Sequence, residues 1–427
     1  MKTYLKIGFI FLLVLTFYFE GNAQFILNGE IRPRLEVRNG YATFATEYDK
    51  PAVFFTQRSR LNVDYKNDHF RTYISLQDVR TWGDEDQVVD VPSTALHEGW
   101  GELFFNKLLS LKMGRQELAY EDYRLLGNVD WVQQARSHDA AVLKFNKNGW
   151  RADAGGAFNN LRENDFKTAY LLNNYRVLLF GYANKTFKEK LTVSLLHITD
   201  GFEEVDSLSD TINYRHTFGP ILTYKSGKLE LNGSFFYQFG NLSDKDIRAF
   251  MATFSAQYKV NKLTLRAAVD IVSGTNALNT LNKENNSFST LYATNHKFYG
   301  FMDYFTNLPL HTANGGLIDP YLRLNYKFSE KINAYADYHY FMLENNVADL
   351  MNPSVAINKE LGSEIDAVLN YNIFPLVNLQ AGYSMMFGTS SLETLKKRQK
   401  GGHQYWGWTM LTFKPEFFHS EKYKVKQ

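Results

Sequence analysis

Apolar and polar residues alternate along most of the chain, as in the stretch FILNGEIRPRLEVRNG at residues 25–40. The odd positions of this stretch are mainly apolar, from Phe25 to Val37, whereas most even positions are polar or charged. A period of two residues is typical of a β-strand with one apolar and one polar face. Eighteen strands of this kind are predicted, at residues 25–38, 52–66, 69–80, 95–106, 108–119, 137–147, 149–159, 172–187, 190–200, 212–225, 228–240, 245–259, 262–274, 315–328, 331–344, 359–373, 376–388 and 403–415. Most are long enough for the roughly 9–11 residues of a tilted membrane strand.

The connections between these strands are alternately short and long. Eight are tight turns, most of them with Gly, Asn or Pro, such as 226–227 and 374–375, and nine are mostly longer and polar, such as 120–136. Short turns at one end and long loops at the other are typical of an outer-membrane barrel. The predicted fold class is therefore all-β, a single transmembrane antiparallel β-barrel with 18 strands, short periplasmic turns and long extracellular loops.

The charged residues of these strands recur on one face only. In 262–274, for example, Arg266 and Asp270 oppose Leu265 and Val269. An Arg or Lys facing lipid near the midplane costs about 2–4 kcal/mol, so the charged face is expected to line the lumen. Barrels of 16–18 strands are wide enough to leave an aqueous channel. The predicted pore-lining residues are Arg32, Arg34, Arg58, Arg60, Arg266, Arg323, Glu30, Asp64, Asp270, Asp319, Asp337, Glu364 and Asp366.

The first residues predict export across the inner membrane. Lys2 and Lys6 precede an apolar run that ends before the small-residue site Gly21-Asn22-Ala23, which is typical of a signal peptide over 1–23. The barrel domain then covers 24–427, in which no Pro-rich, Gly/Ser-rich or single-charge linker occurs. The predicted location is the Gram-negative outer membrane, in contact with lipid and lipopolysaccharide. With a net charge of +2 and no cysteine, the chain predicts neither a nucleic-acid partner nor disulfides.

Four stretches carry a resemblance to a known family: IRPRLEVRNGY (31–41), FTQRSRLNVDYKND (55–68), LKMGRQELAYEDYRLLGNVDWVQQARSHDAAVLKF (111–145) and NHKFYGFMDYF (295–305). They resemble the alginate export family of outer-membrane barrels. The resemblance implies an 18-stranded channel for an anionic polyuronate, with an electropositive constriction. The matching arginines would be Arg32, Arg34, Arg58, Arg60, Arg266 and Arg323, but this chain interleaves acids such as Glu36 among them.

Each candidate site has a functional and a structural interpretation. The arginines form either a track for carboxylates and phosphates or cross-strand pairs that stiffen the wall. Loop 275–314 either folds into the lumen as a constriction or plug, or extends above the membrane. The charged and aromatic segment 114–139 either binds a sugar or forms hydrogen bonds with the barrel wall. The basic run LKKRQKGGH (395–403) recruits polyanions, or faces lipopolysaccharide phosphates or solvent.

No catalytic or metal-binding motif is visible. The sequence lacks a Gly-x-Ser-x-Gly elbow, a phosphate-binding loop and an HExxH motif, and its histidines are scattered. We therefore expect a non-enzyme without cofactor or metal, which conducts hydrophilic, anionic solutes or an anionic oligo- or polysaccharide. The alternatives are a structural or partner-gated barrel with a closed lumen, with a possible periplasmic partner, and an outer-membrane surface enzyme.

Overall fold

The computed structural model describes residues 23–166, 170, 174–203, 211–242, 245–279, 281 and 283–423. The predicted signal peptide lies outside the described residues, except for its last position.

One antiparallel sheet of 18 strands closes on itself, each strand pairing with its neighbours in sequence. The strands are β1 (Gln24–Asn39), β2 (Ala52–Lys66), β3 (Phe70–Thr81), β4 (Thr94–Phe104), β5 (Leu109–Gln116), β6 (His138–Lys147), β7 (Trp150–Phe158), β8 (Val177–Phe187), β9 (Leu191–Glu203), β10 (Ile212–Ser226), β11 (Leu229–Leu242), β12 (Lys245–Val260), β13 (Leu263–Val272), β14 (Leu317–Lys327), β15 (Ile332–Met342), β16 (Glu360–Phe374), β17 (Val377–Gly388) and β18 (Gln404–Phe413). The barrel closes where β1 pairs with β18, from Ile31 opposite Phe413 to Asn39 opposite Tyr405. A short strand, β19 (Glu416–His419), continues this seam along the start of β1.

The fold prediction is confirmed, and most strand ends differ by three residues or fewer. The largest difference is the start of β8, predicted at 172 and observed at Val177. Of the residues predicted before this start, 172 and 173 lie outside the described residues, whereas the Arg176 amide donates to the Gly201 carbonyl at 2.7 Å and continues the ladder by one residue. Two further elements were not predicted, β19 and a short helix, α1 (Ser390–Lys396), in the last long loop.

The two faces of the wall have opposite polarity. Outward side chains are apolar and exposed, as with Leu61 at 43% and Leu322 at 55%, whereas inward Arg58 and Asp319 are at most 1% exposed. This is the reverse of a soluble protein and suits a barrel with lipid outside.

Two long connections fold against the inward wall. The first inner segment (residues 117–137) joins β5 to β6, and the second inner segment (residues 273–279, 281 and 283–316) belongs to the connection from β13 to β14. They meet each other in a parallel bridge between Leu126 and Tyr292. Three of their large apolar side chains, Leu125, Tyr304 and Phe305, are at most 2% exposed. Burial of these side chains gives the barrel a core of its own inside the lumen.

The described part of the chain contains α1 and three single turns of 3₁₀ helix, at Asn295–Lys297, Leu310–Thr312 and Ser420–Tyr423. None of these helices is long and apolar enough to span a membrane.

Candidate transport pathway

Arginines of β1 and β2 hold the first inner segment through one carboxylate. Arg32 Nη1 lies 3.0 Å from Asp130 Oδ2, and Arg58 Nη2 lies 2.8 Å from Asp130 Oδ1. Arg32 also donates to Gln133 Oε1 from Nε and Nη2, at 3.1 and 2.9 Å. Two strands of the wall are thereby tied to one point of the segment by charge-assisted bonds.

The environment of Asp130 keeps it ionised. Burial raises the pKa of its carboxyl, but the attraction of Arg32 and Arg58 outweighs burial and lowers the pKa to about 2. The carboxylate therefore remains charged over the whole pH range to which an outer membrane is normally exposed.

The neighbouring arginines are also paired within the wall. Arg34 Nε donates to Glu36 at 2.9 Å, its Nη1 donates to the Trp131 carbonyl at 2.7 Å, and its guanidinium stacks 4.1 Å from the Trp131 ring centre. Arg58 Nε donates to Glu30 at 2.8 Å. Each guanidinium thus has both a wall partner and an inner-segment partner.

The remaining predicted wall residues on this side and at the short-turn end form cross-strand pairs. Arg60 donates to Gln77 at 2.9 Å, and Asp64 accepts from Arg71 at 2.6 Å. Arg266 donates from Nη2 to Gln257 at 2.8 Å. These are cross-strand contacts of the kind that the wall-stiffening interpretation predicts.

The predicted acids of the opposite wall, on β13 to β16, contact both inner segments. Asp270 Oδ2 lies 2.7 Å from Nη1 of Arg124, which belongs to the first inner segment. Glu364 Oε1 accepts from the Met302 amide at 2.7 Å, and Asp366 Oδ2 accepts from the Phe301 amide at 3.3 Å. Because these carboxylates accept hydrogen bonds from backbone amides, they fix the path of the second inner segment.

The last two predicted acids of this wall are paired within it. Arg323 binds Asp337 through Nε and Nη2, both at 2.5 Å. Asp319 lies 2.9 Å from Nδ1 of His339. The alternation of the strands predicted these acids as inward-facing, but His339 was not among the predicted site residues.

Three side chains of the basic run of residues 395–403 contact three different parts of the chain. Lys396 Nζ donates to the Tyr304 carbonyl at 2.5 Å, and Lys400 donates to the Gly388 carbonyl. Arg398 pairs with Asp49 of the first long loop at 2.5 Å. Burial lowers the pKa of Lys396 to about 8. These side chains join the long loops to the second inner segment.

Two cavities open at the short-turn end of the barrel. One, of about 590 Å³, is lined by Lys259, Lys262, Arg266, Arg323 and Lys327, with Glu330 the only acid among its described lining residues. The other, of about 620 Å³, lies beside the turn at 374–376 and is lined by Arg32, Lys331 and Lys414 together with Glu30 and Asp130.

Lysines also flank most of the short turns. Eleven of them stand in or within two residues of these turns: Lys66, Lys107, Lys147, Lys188, Lys190, Lys225, Lys228, Lys259, Lys262, Lys327 and Lys331. Lys414, between β18 and β19, lies at the same end of the barrel. The acids in the same positions are fewer: Asp68, Glu189, Glu230, Glu330 and Glu416. The mouth at this end is therefore basic, a feature that the strand pattern alone did not indicate.

The described residues also contain two groups of three potential metal ligands within 4.8 Å of one another. One is His97, Glu98 and Glu117, and the other is Asp337, His339 and Asp366. The sequence predicted no metal site because the third member of each group, Glu117 or Asp366, comes from another part of the chain.

Comparisons with known proteins agree with this architecture. The family model described as alginate export matches residues 24–388. Among solved structures, the chain is similar to the outer membrane protein OpdK of Pseudomonas aeruginosa, with a TM-score of 0.60, 10% identity and coverage of 93% of this chain and 99% of that one. OpdK solved with vanillate gives a TM-score of 0.59 and 11% identity, with the same coverage.

A further similar structure is OccAB4 of Acinetobacter baumannii, with a TM-score of 0.63, 14% identity and coverage of 93% of this chain and 99% of that one. A search of curated proteins found no match. At these identities the solved structures show the fold alone. The barrel supports a position in the outer membrane, within lipid, and channel relatives fit a protein that is not an enzyme. The family match covers most of the chain, so the chain belongs to the alginate export family and has the fold of an outer-membrane porin.

Proposed function

We propose that the protein is a passive outer-membrane channel for hydrophilic anions, with an anionic oligo- or polysaccharide as its cargo. The observation that carries this proposal is the basic mouth at the short-turn end, with its cavity of about 590 Å³. Clustered charge of one sign in a cleft raises the local concentration of counter-ions, so anions are enriched where they enter.

Basic side chains continue from this mouth into the barrel, where they alternate with acids. Arg266 lines both the mouth cavity and a deeper one of about 230 Å³, which also contains Arg124 and Lys297. Acids such as Asp270 and Glu230 line the deeper cavity as well. An anion would therefore exchange partners along mixed walls without being trapped, which conduction requires.

The choice of a uronate-like cargo rests on the family and on residue chemistry. The outer cavity, of about 270 Å³, combines Arg38 and Arg80 with Tyr41, Phe54 and Trp131. Aromatic faces stack on sugar rings, and guanidinium groups bind carboxylates through two hydrogen bonds. A sugar acid offers both partners.

Single-channel recording tests the proposal. Folded protein in a planar bilayer is expected to show anion selectivity in the reversal potential under a KCl gradient. Replacing three mouth lysines, in Lys259→Gln/Lys262→Gln/Lys327→Gln, is expected to lower the anion-to-cation permeability ratio by about twofold or more, and more strongly at low salt. Polyuronate added at the short-turn side is expected to block the wild-type current and to block the variant less.

The matched control is Lys50→Gln/Lys397→Gln, which removes exposed lysines at the long-loop end. Its permeability ratio should equal that of the wild type. An open but unselective wild-type pore would keep the channel and refute the anion preference.

A second candidate is a barrel that stays closed until a partner displaces the inner segments. The ties from Arg32 and Arg58 to Asp130, and from Glu364 to the Met302 amide, favour it because they fasten both segments to the wall. This candidate predicts no steady current from folded, heat-modifiable wild-type protein, and current once the ties are removed.

A further inference from the structure

Three potential ligands converge on neighbouring strands of the wall, where the second inner segment is attached. In the register of β15 and β16, Asp337 lies opposite Asp366, and the next inward pair is His339 opposite Glu364. One ligand atom from each of Asp337, His339 and Asp366 lies within 4.8 Å of the others. These four side chains are at most 4% exposed.

The charge of this cluster is not balanced by the side chains bonded to it. Asp319, Asp337, Glu364 and Asp366 are all buried, whereas the basic groups paired with them in the described part of the chain are two, Arg323 with Asp337 and His339 with Asp319. Like charges directly opposite each other on neighbouring strands are destabilising, and a buried carboxylate without a partner is costly. A further positive charge would relieve both penalties.

Two buried oxygens in the cluster have no hydrogen bond within the described part of the chain. They are Oδ1 of Asp366 and Oε2 of Glu364, whose residues are 0% exposed. The other oxygen of each carboxyl accepts an inner-segment amide, from Phe301 and Met302. Oδ1 of Asp366 is therefore a buried acceptor that still lacks a partner.

His339 is positioned as a metal ligand would be. Its Nδ1 lies 2.9 Å from Asp319 and donates to that carboxylate, so Nε2 is the ring nitrogen that would bind an ion. Its ring stacks between Tyr321, at 4.9 Å, and Phe341, at 5.6 Å between ring centres, so its orientation is set. A histidine that binds a metal typically donates its second N–H to a carboxylate in this way.

We propose that Asp337, His339 and Asp366 bind one divalent transition-metal ion, with Zn²⁺ as the ion of best fit, beside the attachment of the second inner segment. A nitrogen ligand with two carboxylates suits Zn²⁺, whereas Ca²⁺ and Mg²⁺ prefer oxygen ligands alone. Bonds of about 2.0–2.1 Å place tetrahedral ligands roughly 3.4 Å apart, so the ligands would close in slightly around the ion. This proposal does not depend on which solutes the channel conducts.

Metal content tests the site directly. Protein without a polyhistidine tag is folded with Zn²⁺, passed through a desalting column and analysed by elemental mass spectrometry. We expect one zinc per wild-type chain and a loss of most of it in both Asp366→Asn and His339→Gln. Asp319→Asn, which removes only the partner of the histidine, should weaken zinc affinity roughly 10- to 100-fold.

The control is His138→Gln, because His138 is a buried histidine bonded to Tyr175 with no acid among its described bonds. It should keep its zinc. Replacing Zn²⁺ with Co²⁺ should give visible d–d absorption in the wild type and none in His339→Gln.

The alternative is a proton shared between Glu364 and Asp366, whose carboxyl groups lie close together. Wild-type protein that binds no Zn²⁺ after correct folding would favour the shared proton and overturn the proposal, whether or not the variants fold. Zinc that persists in both Asp366→Asn and His339→Gln would overturn it equally.

Discussion

Asp130 connects two strands of the wall to the middle of the first inner segment. Its carboxylate lies between Arg32 and Arg58, which are 4% and 1% exposed, while its own side chain is 51% exposed to the lumen. Because its folded pKa, about 2, is below the ordinary value of 3.8, its contribution to stability is full above the ordinary value and is lost as the pH falls through the folded value.

The Asp130→Asn variant tests this tie. The change keeps the shape but removes the charge, which leaves Arg32 and Arg58 buried with less compensation. The attachment should weaken by about 1–2 kcal/mol, below the value for a fully buried pair because Asp130 is half exposed. Single-channel recordings should show more frequent transitions between conductance levels than in the wild type.

The pH dependence separates this effect from a general loss of structure. Wild-type gating should stay constant above about pH 4 and rise only towards about pH 2, whereas gating in Asp130→Asn should lack this rise. Asp139→Asn is the control because Asp139 pairs with Arg115 at 3.3 Å in an exposed position. Equal gating in Asp130→Asn and Asp139→Asn would contradict the role of Asp130.

At the scale of elements, α1 joins the last long loop to the rest of the molecule. Thr389 caps its start by accepting from the Leu392 amide, and Lys397 ends it in a left-handed conformation with φ of 52°. Leu392 is fully buried beside Gly388 and Phe44, and Lys396 donates to Tyr304 in the second inner segment. The helix therefore covers the long-loop end of the inner core.

The Leu392→Ala variant should loosen the packing of α1 against the inner core. Truncation of a fully buried leucine costs about 2–5 kcal/mol, here confined to α1 and the loops that it contacts. Limited trypsin digestion of the folded barrel should cut after Lys397 and Arg398 much faster than in the wild type. Leu350→Ala, at a leucine that is 57% exposed, is the control and should leave the rate unchanged. Slow cleavage in both variants would mean that the helix is held by other contacts.

At the scale of the whole molecule, the barrel depends on the difference between its two faces. Leu322 of β14 points outward and is 55% exposed, whereas its neighbour Arg323 points inward to Asp337. The same substitution should therefore affect stability differently at an outward-facing and at an inward-facing position of one strand.

Leu322→Arg and Asn325→Arg test this difference. The first places a guanidinium in lipid and should lower the free energy of unfolding in vesicles by about 2–4 kcal/mol, whereas the second adds it to the wet basic mouth and should cost less than about 1 kcal/mol. Urea titration of vesicle-folded protein, followed by tryptophan fluorescence, measures both. Equal destabilisation would contradict the assignment of the faces.

Local sequence determined the strands, their number and their faces. The predicted bounds of the second strand, 52–66, are those of β2, and the even count of strands follows from alternating turns and loops. Alternation of side chains and turn chemistry act over a few residues, so they can be read without knowledge of the rest of the chain.

Tertiary structure decided what the inward charges contact. Arg32 and Asp130 are 98 residues apart in sequence, and Asp270 meets Arg124 across 146 residues. The joining of His339 with Asp337 and Asp366 depends on the register of two strands, and the paths of both inner segments depend on packing within the lumen. The two-residue period of a strand predicts whether a side chain points inward or outward. Which side chain it then contacts, when that partner is distant in sequence, is decided only when the barrel closes and its interior is filled.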